Sequence, residues 1–450
     1  MNFKSLLKKL IPSKLLYFYH YFLARFSVLL YFNPCSKLKV IGVTGTAGKS
    51  TVVWLTGNIF ELAGIKTGWV STISFKIGDK QIPNSLKMTM PGRFFLSRAL
   101  YKMVKSNKEF AIIETSSQGI IQARHLAVNY DVVAFTNLSP EHIEAHKGFE
   151  NYKRAKGELF AYLSRCPRKI IKGEKIPKVI VVNLDDDFAD YFLSFRADKY
   201  YGYTLGKIKA SKDLLERKHV KVFKAENICI YGDYTEFEVL GYKFKSYLPG
   251  EFNVYNVLAS LCLADFAGLS FDVFKECLEK IKSVPGRMEC ILKEPFSIYI
   301  DYAHTPEELE KVYQTLSQDK SKLICVLGSA GGGRDKWKRE KLGEIAFNYC
   351  RDIILTNEDP YDEDPEKIIL DIEKGIKKDS LQSLGKNLFK VLDRKKAIEK
   401  AVSLAKPKDK IVITGKGSEL AIMGPNNTQI PWNDKQVCLE ILKNKKLDCG

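Results

Sequence analysis

A glycine-rich loop that carries a lysine and several hydroxyl residues lies near the start of the chain. Residues 45–51 read GTAGKST and directly follow a β-branched run at 39–43. Glycines let backbone N–H groups approach a triphosphate, while Lys49 can place its ammonium on the β- and γ-phosphate oxygens and Ser50 can ligate Mg²⁺. Counted from Gly42, the loop is one residue longer than the common phosphate-loop spacing, yet a structural turn would not need the lysine. We therefore predict a nucleotide-binding loop that contains Gly45, Thr46, Gly48, Lys49, Ser50 and Thr51.

Two more polar clusters follow predicted strands. The run at 110–113 ends in Glu114, and the run at 131–135 is followed by TNLSPEH, which ends at His142. Ligands of open α/β sheets bind beyond the carboxyl ends of parallel strands, so both side chains stand where they could hold a metal ion. Taken alone, Glu114 is equally a helix N-terminal charge, and a lone histidine is more often a satisfied core or surface residue. Both interpretations of each residue stay open at this point.

The composition is that of a globular protein with a basic excess. Of 450 residues, 45% are apolar and 28% are charged, which excludes a disordered or fibrous chain. Lysine and arginine total 71 against 53 acidic residues, and no Asp or Glu occurs in residues 1–60. The ten cysteines include no C-x-x-C pair, so neither a zinc ribbon nor a disulfide scaffold is expected. Part of the basic excess belongs to candidate sites for small anions, so we expect no nucleic-acid partner.

Residues 1–35 form a basic and apolar segment that we predict to be helical. KSLLKKLIPSK precedes an apolar run at 15–32, which carries Arg25 near its centre. A spanning helix needs about 20 apolar residues and a central arginine costs about 2.5–3.5 kcal/mol, so a transmembrane helix is disfavoured. Two interpretations remain: an interfacial helix on an anionic membrane, or a helical hairpin packed on the protein itself, broken at Pro12 and ending near Asn33. We expect a cytoplasmic protein, in the first case with peripheral contact at the inner membrane face.

Sequence motifs across residues 38–420 resemble those of the Mur ligases. In chain order they read TGTAGKST, ETSSQG-x-x-x-x-R, TNLSPEHIEAH, NYKRAKGELF, GEFNVYN, PGRME, DYAHTP, GGGRDKWKRE and GKGSE. The branch that they resemble most is UDP-N-acetylmuramyl-tripeptide synthetase. The resemblance implies an ATP-dependent amide-bond ligase, which adds an amino acid to a UDP-N-acetylmuramyl-peptide through an acyl phosphate in peptidoglycan biosynthesis.

The resemblance also implies roles for four catalytic residues. Lys49 would bind the γ-phosphate, Ser50 and Glu114 would hold a first Mg²⁺, and His142 would be a ligand of a second. Lys156 matches the lysine of the Y-x-x-A-K motif, which carries a CO₂-derived carbamate that supplies an oxygen ligand to the second metal. The residues alone would describe Lys156 as a solvated helix charge. ATP, Mg²⁺ and the carbamate are therefore the cofactors that the resemblance implies.

Nucleotide and substrate contacts are implied in the same way. Asn253 and Asn256 would meet the adenine edge, although asparagine at a helix start is equally a common cap. Arg287 would reach phosphate, and Asp301 would reach the ribose. The positions that match substrate contacts are Ser116, Arg124, Arg334, Asp359, Gly415 and Glu419.

Two departures from the family pattern concern the substrates. Ligases that add meso-diaminopimelate carry D-N-P-R, whose arginine grips the distal carboxylate, whereas residues 358–361 read EDPY. Tyr361 lacks that cation, and the acidic residues 358–359 and 362–364 form either a pocket that favours lysine as the added amino acid or a solvated acidic loop. The first strand is predicted at residue 39, so we also expect most of the family's N-terminal UDP-binding domain to be lacking.

The predicted fold class is α/β. We expect a central domain at 36–284, with a P-loop-type parallel sheet and a side sheet in which 220–223 pairs with 236–240, and a C-terminal Rossmann-like domain at 285–450. One alternative is a related Mur-fold ligase of the folylpolyglutamate or poly-γ-glutamate type. The other is a non-catalytic, nucleotide-regulated and membrane-associated binding protein. A scaffold would not need Lys49, Glu114, His142 and Lys156 together, which favours catalysis.

Overall fold

The computed structural model describes residues 13–141, 143–319, 321–445 and 447. Its strands are β1 (Lys39–Thr44), β2 (Thr67–Val70), β3 (Ser74–Lys76), β4 (Gln81–Pro83), β5 (Phe110–Glu114), β6 (Val132–Phe135), β7 (Lys169–Ile171), β8 (Glu174–Ile176), β9 (Val179–Asn183), β10 (Lys199–Thr204), β11 (Lys221–Lys224), β12 (Glu226–Ile230), β13 (Thr235–Val239), β14 (Tyr242–Ser246), β15 (Glu289–Leu292), β16 (Ser297–Ile300), β17 (Leu323–Leu327), β18 (Cys350–Leu355), β19 (Asn387–Lys390), β20 (Lys410–Ile413), β21 (Ala421–Met423) and β22 (Gln429–Pro431).

The α-helices alternate with these strands along most of the chain. They are α1 (Ser13–Leu30), α2 (Lys49–Leu62), α3 (Arg93–Lys105), α4 (Ser117–Ile121), α5 (Ile143–His146), α6 (Phe149–Arg165), α7 (Ala189–Ser194), α8 (Lys212–Arg217), α9 (Glu251–Ala267), α10 (Phe271–Lys280), α11 (Pro306–Leu316), α12 (Lys338–Tyr349), α13 (Pro365–Glu373), α14 (Arg394–Leu404) and α15 (Asp434–Asn444). This alternation produces the parallel sheets of an α/β fold, as predicted.

The first sheet has nine strands in the order β11-β10-β9-β6-β1-β5-β2-β3-β4. All neighbours pair in parallel except β3, which is antiparallel to both β2 and β4. Val43 of β1 lies opposite Glu114 of β5, and Thr44 lies opposite Phe135 of β6. The carboxyl ends of these three central strands therefore meet at one edge of the sheet, where the sequence placed its polar clusters.

Helices cover both faces of the first sheet. Alternate residues of β1 point to opposite sides: Val40 packs in a core with α1, α3, α6 and α7, whereas Ile41 packs in a core with α2, α9 and α10. Both side chains are fully buried. A strand that is buried on both faces reads as a continuous apolar run, which is why the sequence pattern at 39–43 identified it.

The predicted pairing of 220–223 with 236–240 is wrong. Strand β11 instead extends the first sheet in parallel, with Tyr201 opposite Lys221 and Thr204 opposite Lys224. The side sheet is antiparallel and consists of β12, β13 and β14. Phe223 of β11 is fully buried, with its ring 6.0 Å from that of Tyr201. Period-2 alternation shows that a segment is a half-buried strand but does not identify its partner, so the sequence pattern could not distinguish these pairings.

The second sheet has six strands in the order β15-β16-β20-β17-β18-β19. Strand β15 is antiparallel to β16, and the remaining pairs are parallel. One face packs against α11, α12 and α13, and the other packs against α14 and α15. Val326 lies opposite Ile413, so the loops that follow β17 and β20 leave the same edge of this sheet.

Helix α1 packs on the first sheet's own layer of helices. It contacts α3 and the 3₁₀ turn at Arg124–Ala127. The chain then turns at Asn33, which has a left-handed backbone, before Pro34. The predicted break at Pro12 and the rest of residues 1–12 lie outside the described residues. None of the helices that the structure describes has the length and apolar character that crossing a bilayer requires.

Candidate active site

The phosphate loop between β1 and α2 has a backbone that only glycine accommodates at two points. Gly45 has φ +152°, and a Cβ atom there would lie 1.9 Å from the Thr136 hydroxyl oxygen. Gly48 has φ +79°, and its Cβ would lie 2.5 Å from Oδ1 of Asn256. The Ala47 N–H donates to Oδ1 of Asn137 at 2.9 Å, which ties the loop to the end of β6. The loop thus opens α2 with its backbone closely held on both sides.

A hydroxyl and a carboxylate face each other beside this loop. Ser50 Oγ donates to Glu114 Oε1 at 2.9 Å, and Glu114 Oε2 accepts from the Thr72 N–H at 2.7 Å. Lys49 Nζ donates to the Thr46 carbonyl at 2.6 Å. Within the described residues no group of three or more His, Cys, Asp and Glu side chains could hold an ion by itself. This oxygen pair fits Mg²⁺, which proteins usually bind through one or two side chains together with substrate phosphates.

Lys156 is buried rather than solvated. It lies on α6 with 1% of its surface exposed, and Nζ donates to the Gly45 carbonyl at 2.6 Å. Its ammonium lies 4.4 Å from the ring centre of Tyr152. Burial, together with the nearby charge of Lys49, lowers the pKa of Lys156 well below its usual value. The description of this residue as a surface charge is therefore wrong, and burial favours its neutral form over the ammonium.

His142 lies outside the described residues, but the residues on both sides of it contact the second sheet's layer. By this we mean the second sheet with the helices and loops that pack on it or follow its strands. His304 Nε2 lies 3.0 Å from Oε1 of Glu141. The backbone N–H groups of Ile143 and Glu144 each donate to the Asp335 carboxylate at 3.1 Å. Glu141, Ile143 and Glu144 therefore contact residues of the second sheet's layer across the cleft.

A cavity of about 580 Å³ adjoins the phosphate loop. Six of the predicted nucleotide residues line it, namely Gly48, Thr51, Asn253, Asn256, Arg287 and Asp301. Asn256 Nδ2 donates to Asn253 Oδ1 at 2.9 Å, and Asn253 Nδ2 donates to the Pro249 carbonyl at 2.8 Å. The two amides fix each other's orientation and lie on α9, where their side chains do not act as helix caps.

Arg287 and Asp301 occupy the opposite wall of this cavity. The Arg287 guanidinium lies 4.3 Å from the ring centre of Tyr302. The Asp301 carboxylate accepts from the N–H groups of Met288 at 2.7 Å and Ala303 at 2.6 Å. Burial raises the pKa of Asp301 to about 6, partly offset by the Arg287 charge and these two donors. A carboxylate with two fixed donors and free lone pairs can still accept from hydroxyl groups.

A second cavity of about 170 Å³ lies on the other side of the phosphate loop. The predicted residues that line it are Gly45, Thr46, Gly48, Lys49, Ser50, Glu114, Ser116, Lys156, Arg287, Arg334, Asp359, Gly415 and Glu419. Arg124 lies outside the lining of both cavities and donates to the Met90 carbonyl and, at 2.6 Å, to Gln122 Oε1. Residues from loops that follow strands of both sheets thus converge on one cleft.

Two lysines that the sequence did not single out form ion pairs with Asp359 and Glu419, two residues that were predicted to contact the substrate. Lys87, from the first sheet's side, donates to Asp359 at 2.9 Å and lies 3.0 Å from Glu419. Lys416 donates to Asp359 at 2.8 Å and to Glu419 at 2.5 Å. Lys416 stands within the GKGSE motif and could have been selected there. Lys87 stands in no motif, so only the folded chain reveals it.

The predicted acidic pocket is smaller than the sequence suggested. Glu358 and Asp359 line the second cavity, but residues 362–364 do not. Asp364 caps α13, Asp362 accepts from the Asn426 N–H, and Glu363 pairs with Arg339. For 362–364 the solvated-loop interpretation is therefore the right one, because these carboxylates make local hydrogen bonds and an ion pair near the start of α13. Oε2 of Glu358 is buried and has no hydrogen-bond partner among the described residues.

Comparison with known proteins identifies the family. Residues 43–264 match the Mur ligase middle domain, and residues 286–417 match the Mur ligase, glutamate ligase domain. A UDP-N-acetylmuramoyl-L-alanyl-D-glutamate–2,6-diaminopimelate ligase from Halalkalibacterium halodurans is 34% identical over 428 residues, covering 94% of this chain and 82% of that protein. The chain belongs to the Mur ligase family. This Mur ligase is an ATP-dependent amide-bond ligase of peptidoglycan biosynthesis, and Mur ligases generally use Mg²⁺ with ATP.

Two further proteins support the assignment of this Mur ligase. A UDP-N-acetylmuramyl-tripeptide synthetase from Borreliella burgdorferi is 38% identical over 426 residues, covering 92% of this chain and 78% of that protein. The crystal structure of MurF ligase from Thermotoga maritima in complex with ADP shares the fold, with a TM-score of 0.63 at 19% identity, covering 95% of this chain and 84% of that one. The predicted family and fold class are confirmed.

Proposed function

We propose that this Mur ligase joins an amino acid to the terminal carboxylate of a UDP-N-acetylmuramyl-peptide. The observation that carries the proposal is the second cavity, where Ser50 and Glu114 face Arg334 and Glu419 across one cleft. ATP supplies the phosphoryl group that activates the acceptor carboxylate as an acyl phosphate. A cleft that encloses both reactants excludes the water that would hydrolyse such an intermediate.

We infer that the larger cavity takes the nucleoside of ATP. The fixed amides of Asn253 and Asn256 offer a donor and an acceptor to the adenine edge, and Asp301 can accept from the ribose hydroxyls. Arg287 adjoins both cavities, so its guanidinium can bind two phosphate oxygens between them. The backbone N–H groups of the phosphate loop would hold the β- and γ-phosphates, with Lys49 beside them. Ser50 and Glu114 would hold Mg²⁺.

We propose that Lys156 carries a carbamate. Its lowered pKa favours the neutral amine, whose Nζ can form a bond to the carbon of CO₂ while one proton leaves to solvent. The product is an anion, whose charge the nearby Lys49 ammonium would offset. Its oxygens would serve a second Mg²⁺, for which His142 is the other proposed ligand.

We propose that the acceptor peptide lies between Ser116 and Arg124. Ser116 lines the second cavity and also caps α4 through the Gly119 N–H at 3.2 Å. Arg124 lies on the far side of Met90, whose carbonyl it binds. This path leads the acceptor away from the nucleotide toward the surface that faces α1.

We propose lysine as the amino acid, because Tyr361 offers no guanidinium for a distal carboxylate and Glu358 leaves one buried oxygen without a partner. meso-Diaminopimelate is the second candidate. It is favoured by the names of several relatives, and by Lys87, a cation in the same cavity. Gly415 and Glu419 line the same cavity and would complete the amino-acid site. Glycine at position 415 leaves room beside Glu358, because a Cβ there would lie 2.4 Å from Glu358 Oε2.

We also propose that residues 36–284 and 285–450 are the two domains that carry these halves of the site. The enzyme would work in the cytoplasm at the inner membrane face, with residues 1–35 as the contact. A folylpolyglutamate synthase structure shares the fold at 18% identity, which supports no more than the fold. A non-catalytic role would leave the convergence of Lys49, Glu114 and Lys156 without a purpose.

Phosphate release from ATP tests the proposal directly. The full chain is incubated with Mg²⁺, UDP-N-acetylmuramyl-dipeptide and either lysine or meso-diaminopimelate. We expect turnover that requires both the acceptor and an amino acid, with a higher kcat/KM for lysine. A preference for meso-diaminopimelate would select the second candidate. No turnover with either amine would leave the binding-protein interpretation in place.

The carbamate has its own test. Lys156→Ala should lower kcat by about 10²–10³-fold, the usual cost of removing a charged group that stabilises a transition state. Wild-type activity should fall in CO₂-depleted buffer and return with bicarbonate, whereas the variant should respond to neither. Lys153→Ala, on the same helix and paired with Glu150 at the surface, is the matched control. Full activity of Lys156→Ala without added CO₂ would refute the carbamate.

A further inference from the structure

Helix α1 carries its large apolar side chains on the side away from the protein. Phe18, Phe22, Phe26 and Leu29 follow one another at three- and four-residue spacing, and 47–73% of each side chain is exposed. Residues at this spacing share one face of a helix. The rings of Phe22 and Phe26 stack with their centres 6.3 Å apart. These residues form a continuous apolar strip, which we call the α1 strip.

The inner face of the same helix carries small and polar side chains. Ala24 and Ser27 are fully buried, and Ser27 Oγ lies 3.0 Å from Oγ of Ser97 on α3. The Arg93 guanidinium lies 2.9 Å from Nδ1 of His20. A surface helix in water normally buries its apolar stripe, so α1 has the opposite arrangement. Its outer face is suited to an apolar medium.

A basic groove begins where α1 ends. Tyr31 and Phe32 line a cavity of about 1100 Å³, together with Tyr101 of α3. The same cavity is lined by six lysines, Lys37, Lys39, Lys66, Lys105, Lys108 and Lys172, against two glutamates. In the described part of the chain Lys108 pairs with Glu61 and Lys172 with Glu109, whereas no ion pair neutralises the Lys37, Lys66 or Lys105 side chains. We call this cavity the lysine groove.

The lysine groove and the catalytic cleft lie at opposite ends of the same strands. Lys39 begins β1 and Glu109 precedes β5, whereas Glu114 ends β5 in the cleft. A ligand in the groove therefore leaves the cleft open. Near its middle, at His20, α1 meets Arg93, which donates to the Gln122 carbonyl beside Arg124. The α1 strip thus runs from the proposed acceptor side to the lysine groove.

We propose that the α1 strip and the lysine groove together form a docking surface for an anionic phospholipid bilayer. The strip would enter the boundary between headgroups and acyl chains, and the groove lysines would bind lipid phosphates. Charge complementarity selects this occupant: an apolar strip alone would fit a second copy of the chain, but two copies would bring their lysine grooves together. The inference rests on the membrane contact proposed for residues 1–35. It extends that contact to the lysine groove, which includes Lys66 and Lys105 from outside this segment.

Vesicle flotation of the full 450-residue chain tests this surface. Vesicles contain either phosphatidylcholine alone or equal parts of phosphatidylcholine and phosphatidylglycerol. We expect flotation with the anionic vesicles, and little with phosphatidylcholine alone. Phe22→Ser with Phe26→Ser should abolish it. Lys66→Glu with Lys105→Glu should weaken binding to anionic vesicles by at least about 30-fold, because each lysine lost near the surface contributes about fivefold and each glutamate gained is repelled by the anionic lipids.

Matched controls and a second measurement keep the outcomes distinct. Leu370→Ser with Ile430→Ser, and Lys367→Glu with Lys396→Glu, make the same changes at exposed positions of the second sheet's layer and should float like wild type. Phosphate release with soluble substrates should be unchanged in all four variants, so loss of flotation with retained turnover separates this surface from the ligase proposal. Equal flotation of wild type and the Phe22/Phe26 variant would overturn the inference. So would a wild-type dimer, seen by light scattering, that this variant converts to a monomer without any vesicle binding.

Discussion

Two lysines in the cleft have pKa values that their surroundings shift in opposite directions. Lys156 donates to the Gly45 carbonyl and to no carboxylate among the described residues, and burial beside Lys49 lowers its pKa well below the usual value. Burial alone would also lower the pKa of Lys416, but the carboxylates of Glu419 and Asp359 reverse the effect and raise it. The surroundings therefore favour the neutral amine at Lys156 and the cation at Lys416.

The raised pKa of Asp301 leads to a prediction about nucleotide affinity. With a pKa of about 6, the carboxylate is ionised at pH 7.5 and mostly protonated at pH 5.5, where about a quarter of the acceptors remain. The KM for ATP should therefore rise about fourfold over that range beyond any change due to ATP itself. Arg287 and Glu308 are the charged groups that act on Asp301.

Asp301→Asn provides the comparison, because ATP titrates identically with both proteins. The variant should bind ATP about tenfold more weakly at pH 7.5 through loss of a charged acceptor, and its KM should show a flatter pH profile. Steady-state kinetics at both pH values, with thermal unfolding as a check on folding, measures this. An unchanged fall in affinity between pH 7.5 and 5.5 in Asp301→Asn would assign the titration to another group.

Residue types and spacing were enough to locate most of the candidate site. The glycine loop, Glu114 and the resemblance motifs selected positions that the fold brings into one cleft, because most of them lie at or just after the carboxyl end of a strand. The cation Lys87 could not be found this way. It lies in a loop after β4, and its role depends on where the second sheet's layer places Asp359, which is a tertiary relation without a local signal.

At the scale of elements, strands that are buried on both faces were predictable from continuous apolar runs, and their partners were not. Strand β11 showed this, since alternation fits a parallel edge strand and a hairpin equally well. Charged residues at the amino ends of the strands help to fix which strands lie next to each other. Asp131 accepts from the Val40 N–H at 2.9 Å, Lys169 at 2.5 Å and Lys178 at 3.1 Å, and so joins four segments.

Asp131→Ala should therefore destabilise the fold without affecting the chemistry. The substitution leaves two buried ammonium groups without their carboxylate, and such losses cost about 3–5 kcal/mol of unfolding free energy. Urea denaturation measures the change. Activity of the folded fraction should persist, since Asp131 lies at the opposite end of β6 from the cleft. Asp213→Ala removes an exposed partner of Arg217 and should leave the urea midpoint within error of wild type. A similar shift in both variants would contradict this account.

At the scale of the whole molecule, several links between described residues join the two sheets' layers across the catalytic cleft. Lys87 reaches Asp359 and Glu419, His304 meets Glu141, and Asp335 accepts from the start of α5. The last two links hold the segments on either side of His142. If His142 is a metal ligand as proposed, we expect closure of the cleft to place it, because groups of the opposite layer hold the residues on both sides of it.

This arrangement predicts that weakening the links opens the molecule and slows the reaction together. Lys87→Met with Asp335→Ala removes two of these links. A compact chain of 450 residues has a radius of gyration of about 22 Å, and small-angle X-ray scattering should show a larger value for this variant than for wild type. Its kcat/KM should fall by about 10²-fold, the cost of a misplacement near 1 Å in a positioned site. Lys341→Met with Asp379→Ala makes the same changes on the outer surface and should match wild type in both measurements. Because the radius and the rate report separately, a slowed variant with an unchanged radius would show that Lys87 and Asp335 act within a closed cleft and do not hold it closed.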